Sequence, residues 1–313
     1  MKRTSILFLS LLTLAIIIGF IPVNKQVIIK INAPYFNCYQ QLFLSKNWKK
    51  WQPDISKSFA KDSSLCSINA IPHGFTFVTP DEHILVRQQS SNVLYITKML
   101  HGNEFNYSYS ILAKDFGLTT TIIVDFRSNI IRSLIPAFWE SDLKKTTINN
   151  FKRFMENTEL YYGFNIRKTF INEKKILVKS KTVAAKSKYA EAATMLQQLH
   201  DFIKIKQLKP AGPVMAQYFT KQGDSIQMMI GIPVDREVAE HKGLVYMRIP
   251  ATNALIADFK GRYGDKQKIY AAVGNYMRDK FQNPKISPLE IFENKFPAND
   301  NDTANFRLTY PIF

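Results

Sequence analysis

The 313 residues include 42 Lys and Arg against 25 Asp and Glu, a net charge of +17, with 46% hydrophobic and 21% charged residues. That composition excludes a disordered chain and allows about two domains of ordinary size. The basic residues are scattered, with no helix-turn-helix or zinc-finger spacing, and Cys38 and Cys66 lack metal-ligand spacing, so neither nucleic acid nor zinc is an expected partner.

Met1-Lys2-Arg3 precedes an apolar run from Ile6 to Val23, interrupted only by Ser10 and Thr13. Roughly 18 such residues can cross the hydrocarbon core of a bilayer. A cleavable signal peptide has a shorter apolar stretch and a small-x-small exit, whereas here the exit is Gly19-Phe20-Ile21-Pro22-Val23. Residues 1–24 are therefore expected to be an uncleaved signal anchor, a single transmembrane helix, with cleavage as the alternative. Lys2 and Arg3 are expected to hold the start in the cytoplasm. The globular part is then expected on the extracytoplasmic (periplasmic) side of the cytoplasmic membrane. There Cys38 and Cys66 either form a disulfide or remain two free thiols.

From Lys25 the pattern changes. Val27–Ile31 is short and β-branched, a predicted strand. Ala33-Pro34 opens a predicted helix through Leu44. Asn47 to Pro53 reads as a loop carrying Trp48 and Trp51, and Ser56 to Ile71 is polar. Five strand-like runs follow: Phe75–Val78, Ile84–Arg87, Val93–Met99, Phe105–Leu112 and Thr119–Phe126. Tyr107, Tyr109 and Ile111 share a face by period-two alternation. Consecutive strands with short connections imply an antiparallel meander. A long helix is predicted from near Ser141, with Ile148, Phe151, Met155, Thr158 and Tyr162 in one stripe.

This order, opening on Val27 to Pro34 and on Trp48-Lys49-Lys50-Trp51-Gln52-Pro53, resembles the START-like superfamily (SRPBCC, polyketide cyclase type) over residues 25–164. The resemblance implies a curved antiparallel sheet gripping a C-terminal helix around an apolar ligand cavity. It implies binding rather than catalysis for most members. Trp48 and Trp51 become candidates for the mouth of that cavity, or else for anchors of their own loop.

Residues 165–313 can be laid against themselves. Ile176–Val178, a helix at Tyr189–Phe202 and a strand at Gly212–Phe219 form one half. Leu244–Met247, a helix striped by Tyr270, Val273, Met277 and Phe281, and a strand at Ser287–Phe292 form the other. Pro213 and Pro288 take equivalent places, which makes Met215 the counterpart of Glu290. Such duplication commonly buries a pocket at the seam.

Gly231-Ile232-Pro233-Val234 as a turn, Ile249-Pro250 followed by Gly261-Arg262-Tyr263, Glu290-Ile291-Phe292, and the closing Leu308 to Ile312 resemble the GyrI-like, or AraC effector-binding, domain. Arg262 stands where that family has Pro, and Phe292 where it has Tyr. The expected fold class is thus α+β: a transmembrane helix, a START-like helix-grip domain, then a duplicated βαββ GyrI-like domain. The resemblance implies that Glu290 meets a hydrophobic or cationic small molecule, with Tyr263, Phe292, Tyr246 and Phe259 stacking on it.

The residues supply their own reason to single out Glu290. It interrupts an apolar strand, and a carboxylate among aromatics is costly to desolvate unless a cation joins it. An ordinary strand Glu paired with a nearby Lys or facing solvent is the plain alternative. Catalysis finds little support: the five His lack ligand spacing, no G-x-S-x-G elbow occurs, and Gly-rich phosphate loops are absent, so no metal or cofactor is expected. The leading expectation is a membrane-anchored, non-catalytic binding protein. The alternatives are a hydrolase of an electrophilic small molecule with Glu290 as general base, and a structural or regulatory partner in the envelope. Transcriptional control is not expected without a DNA-binding module, and oligomeric state is open.

Overall fold

The computed structural model describes residues 19, 21–100, 102–220 and 224–313. Apart from Gly19 and Ile21–Val23, the expected apolar span lies outside the described residues. Among the described residues no helix is long and apolar enough to cross a membrane. The first strand begins inside the expected anchor: β1 (Pro22–Ile31) alternates exposed and half-buried residues over its whole length. The chain divides into two compact units after Asn157.

In the first unit β1 is followed by α1 (Tyr35–Phe43), α2 (Ser45–Trp51), α3 (Pro53–Lys61), β2 (Ser67–Ile71), β3 (Gly74–Val78), β4 (Glu82–Ser90), β5 (Val93–Leu100), β6 (Asn103–Lys114) and β7 (Thr119–Asn129). Three helices close it: α4 (Ile130–Leu134), α5 (Pro136–Lys145) and α6 (Ile148–Glu156). The strands form one antiparallel sheet in the order β1-β7-β6-β5-β4-β3-β2. Period-two alternation explains its buried face: Phe75, Phe77, Ile84, Val86, Leu94, Ile96, Tyr107, Tyr109, Ile111, Ile122, Val124 and Phe126 are all buried. The register sets Ile96 opposite Tyr107 and Tyr107 opposite Phe126 on that face. Each such side chain contributes about 1.5–3 kcal/mol on burial. One ion pair lies within it, Lys98 Nζ to Glu82 Oε1 at 2.6 Å with both side chains 5% exposed.

Two local expectations are corrected here. The two-Trp loop is a helix, α2. Its indole N–H groups donate to Leu42 O (2.8 Å) and Gln41 O (3.2 Å), and Trp48 packs on Phe75 and Phe77, so both rings anchor the core. Part of the polar stretch from Ser56 to Ile71 forms β2. The long helix is broken twice, at Thr147 with φ 58° and at extended Asn157. Ile148, Phe151 and Met155 do form a buried stripe on α6, but Thr158 and Tyr162 lie on α7 (Thr158–Tyr162) in the second unit. Cys38 is buried and Cys66 half-buried, and the two form no disulfide.

The second unit contains β8 (Arg167–Ile171), β9 (Lys174–Ala184), α8 (Lys188–Ile205), β10 (Met215–Thr220), β11 (Ser225–Pro233) and β12 (Leu244–Ile249). It continues with β13 (Thr252–Arg262), α9 (Gln267–Asp279), β14 (Leu289–Phe292) and β15 (Thr303–Pro311). Its antiparallel sheet runs β12-β9-β11-β10-β14-β15-β13-β8. The order is palindromic: β9-α8-β10-β11 matches β13-α9-β14-β15, and the halves join at β10 and β14. Leu244–Met247 is therefore not the opening strand of the second half; it lies in β12, the edge strand paired with β9, and β13 opens that half.

The repeat also shifts by one residue. Ala216 pairs with Glu290, while Met215 pairs with Ile291. Ala216 joins the cluster of Phe292 and Leu308, whereas Met215 joins Leu289, Ile176 and Val178 in a separate cluster. A one-residue slip in a strand exchanges faces, so Ala216, and not Met215, stands opposite Glu290 and on its face. Gly231 sits in β11 rather than a turn, where a Cβ would lie 2.6 Å from Ile176 Cγ2 and 2.8 Å from Val178 Cγ1. Phe281 lies past the end of α9, 72% exposed.

Candidate functional site

Strand β14 has four residues, and three of them are buried. Glu290 and Phe292 face the same way, into the core that holds Tyr263, Ile269, Val273 and Phe306. Glu290 is 0% exposed. Desolvating a carboxylate to that degree requires strong partners, and the next segment in space supplies them. β13 ends at Arg262 in a short 3₁₀ turn, Tyr263–Asp265, and Lys266 then caps α9. Tyr263, Lys266 and Tyr270 are spaced so that all three reach Glu290.

The Tyr263 hydroxyl donates to Glu290 Oε2 at 2.7 Å. Oε1 accepts from Lys266 Nζ at 2.7 Å and from the Tyr270 hydroxyl at 2.5 Å. Lys266 Nζ also donates to Tyr263 Oη at 2.6 Å, and Tyr263 lies 3.0 Å from the Tyr218 hydroxyl. The ammonium sits 4.0 Å from the centroid of the Tyr218 ring and 4.2 Å from that of Tyr263. A cation among tyrosine faces, closed below by a carboxylate, gains both Coulombic and quadrupole attraction. Tyr189, from the start of α8, meets Tyr263 edge-on at 6.2 Å. Its hydroxyl donates to the Asp300 carboxylate, which Lys188 also approaches at 3.1 Å.

Burial sets the proton affinities. It pushes the Tyr263, Tyr218 and Tyr270 hydroxyls well above the ordinary tyrosine value, and the Glu290 charge pushes the same way. It pulls the Lys266 ammonium below the ordinary lysine value, with the Glu290 carboxylate opposing that fall.

Of the residues singled out from sequence, Glu290, Tyr263 and Phe292 come together. Phe292 stands 6.0 Å from Tyr263 and packs on Phe296 at 4.8 Å, making an apolar wall. Phe259 stacks on Phe306 at 4.9 Å within the same core, as a packing residue of that cluster. Tyr246, on edge strand β12, packs instead against the cluster of Leu177, Met195 and Ile230. Sequence reasoning missed Lys266, and it treated Tyr218, Tyr270 and Tyr189 as strand and helix residues only. The spacing Tyr263, Lys266, Tyr270 across a helix start was the available signal, since i+3 and i+4 steps share a face. Among the described residues no group of three or more His, Cys, Asp or Glu could hold a metal ion.

No family model matches the sequence, and no curated protein matches it. Among solved structures, the EcmrR C-terminal domain is similar over 48% of this chain and 98% of its own, at 16% identity and a TM-score of 0.42. A hydrolase from Listeria innocua is similar over 47% of this chain and 91% of its own, at 10% identity and a TM-score of 0.38. SAV2435 bound to tetraphenylphosphonium is similar over 47% of this chain and 93% of its own, at 12% identity and a TM-score of 0.33. At these identities and TM-scores none of the three carries an assignment of function to this chain.

Proposed function

We propose that the second unit is a GyrI-like small-molecule-binding domain and that its site is the Glu290 cage, taking an amphipathic organic cation without chemical turnover. The observation that supports this most is a fully buried carboxylate walled by Tyr218, Tyr263 and Tyr270, in which Lys266, the partner that the plain alternative called for, supplies the balancing charge at 2.7 Å. The cage is a place built for one positive charge. A guest that spreads its charge over apolar groups suits it, because Phe292 and Phe296 offer no hydrogen-bonding groups.

The first unit is read as a START-like grip with an aromatic interior. The segment ahead of β1 is read as a signal anchor placing both units outside the cytoplasmic membrane; Lys2-Arg3 and the run that follows support this. The hydrolase alternative has less support. Glu290 already accepts from three donors, which leaves little of its lone-pair capacity for abstracting a proton from water.

Isothermal titration of the full-length, detergent-extracted chain with tetraphenylphosphonium tests the binding site. Saturable binding is expected, weakened at least about tenfold in Glu290→Gln, a loss of roughly 1.4 kcal/mol. Equal affinity in the wild type and the variant would remove Glu290 from the site.

A further inference from the structure

The geometry points to Lys266 as the resident occupant of the cage, so that a guest enters by exchanging one cation for another and the ligand class is restricted to organic monocations. This rests on the cage being the ligand site, and it names what that site selects.

Three observations carry it. The first is the set of contacts. Lys266 Nζ touches Glu290 Oε1 and Tyr263 Oη and lies over the rings of Tyr218 and Tyr263. A bound primary ammonium would take up these same contacts, and a phosphonium would compete for the same charge and the same tyrosine rings, so guest and side chain exclude one another.

The second is charge balance. The cage holds one carboxylate, 0% exposed, and one ammonium on a side chain 15% exposed. Adding a second cation beside Lys266 would leave a net positive charge in a poorly solvated place. Removing Lys266 in favour of a neutral guest would strand the carboxylate, which is equally unfavourable. Only replacement by another single positive charge keeps the cage neutral.

The third is that Lys266 has somewhere to go. It stands at the cap of α9 on a flexible four-carbon stem, close to the surface segment that carries Asp300. Asp300 is at the surface with its side chain 58% exposed. It is tied to the same turn through Gly264 N–H donating to Asp300 O at 2.8 Å. Withdrawal carries the ammonium from a buried carboxylate toward the surface, where water solvates it and where Asp300 already holds Lys188 and the Tyr189 hydroxyl.

Titrating tetraphenylphosphonium and n-propylammonium into the full-length wild type, Lys266→Ala and Lys266→Arg decides the matter. Lys266→Ala is expected to bind both probes at least tenfold more tightly than the wild type. In a thermal melt, n-propylammonium, which restores the deleted ammonium, is expected to raise the Tm of Lys266→Ala and not that of the wild type. Lys266→Arg, whose guanidinium grips a carboxylate through two donors, is expected to bind more weakly than the wild type. Equal affinity in the wild type and Lys266→Ala overturns the exchange while leaving the cation site standing. Absence of binding in all three proteins overturns both. Should Lys266→Ala fail to fold, the arginine variant decides: affinity equal to or above that of the wild type overturns the exchange.

Discussion

A buried carboxylate that accepts three hydrogen bonds, one of them also an ion pair, is among the most constrained groups a fold can hold. Glu290 is such a group, and the tyrosines around it are bound to the same constraint. Their hydroxyls donate to the carboxylate or to one another, so each must keep its proton in the folded state. In the unfolded chain these hydroxyls titrate at about 10, whereas Tyr310 is pushed up to about 12 by burial and the nearby Glu290 charge. Tyr218, Tyr263 and Tyr270 are raised further. A group whose folded value is raised contributes stability that is fully present below its unfolded value and is lost as pH rises through the folded one. The second unit is therefore expected to lose stability steadily above about pH 10. Absorbance at 295 nm checks this. The buried tyrosines should ionise together with the loss of structure, and free ionisation of all 14 tyrosines in a still-folded chain would contradict it.

Elements position these residues through register. β14 pairs with β10 through only Met215–Ile291 and Ala216–Glu290, and with β15 along its whole length. That pairing turns Glu290 toward α9 and not toward the cluster of Met215 and Leu289. Two strands away, Gly231 in β11 lets β9 approach closely, since Ile176 and Val178 occupy the space a Cβ would need. Both neighbours are β-branched and buried, so neither can swing aside. Gly231→Ala is expected to destabilise the second unit by about 1–3 kcal/mol, the usual cost of overpacking. A shift in the urea midpoint at unchanged slope would show it, and an unchanged midpoint would mean the strands separate more easily than drawn. The meander of the first unit was legible because alternation writes the buried face directly into the sequence, as in Tyr107, Tyr109 and Ile111. The break of the last helix at Thr147 was not legible. A threonine with φ 58° has no local signature, and it persists because its surroundings hold it there: the Tyr109 hydroxyl donates to the adjacent Thr146 carbonyl.

At the scale of the whole molecule, each of the two units has its own sheet and its own buried side chains. Residues 158–313 expressed alone are expected to fold and to keep the cation affinity of the full chain, as circular dichroism and titration would report. Loss of structure or affinity in that fragment would show that the second unit depends on what precedes it. Part of the basic excess is balanced locally: Lys181 pairs with Glu191 at 2.6 Å and Lys188 with Asp300 at 3.1 Å on the surface around α8.

The sequence by itself determined the alternating strands, the duplicated second half and the oddity of an acid in the apolar strand Leu289–Phe292, because each of these is a short-range pattern that chain geometry must express. Only the tertiary structure decided that Lys266 meets Glu290 and that Ala216, not Met215, stands opposite it. The reason is that pairing across a helix and a sheet depends on register and on which face each residue occupies, and a shift of a single residue reverses both without changing the local pattern at all.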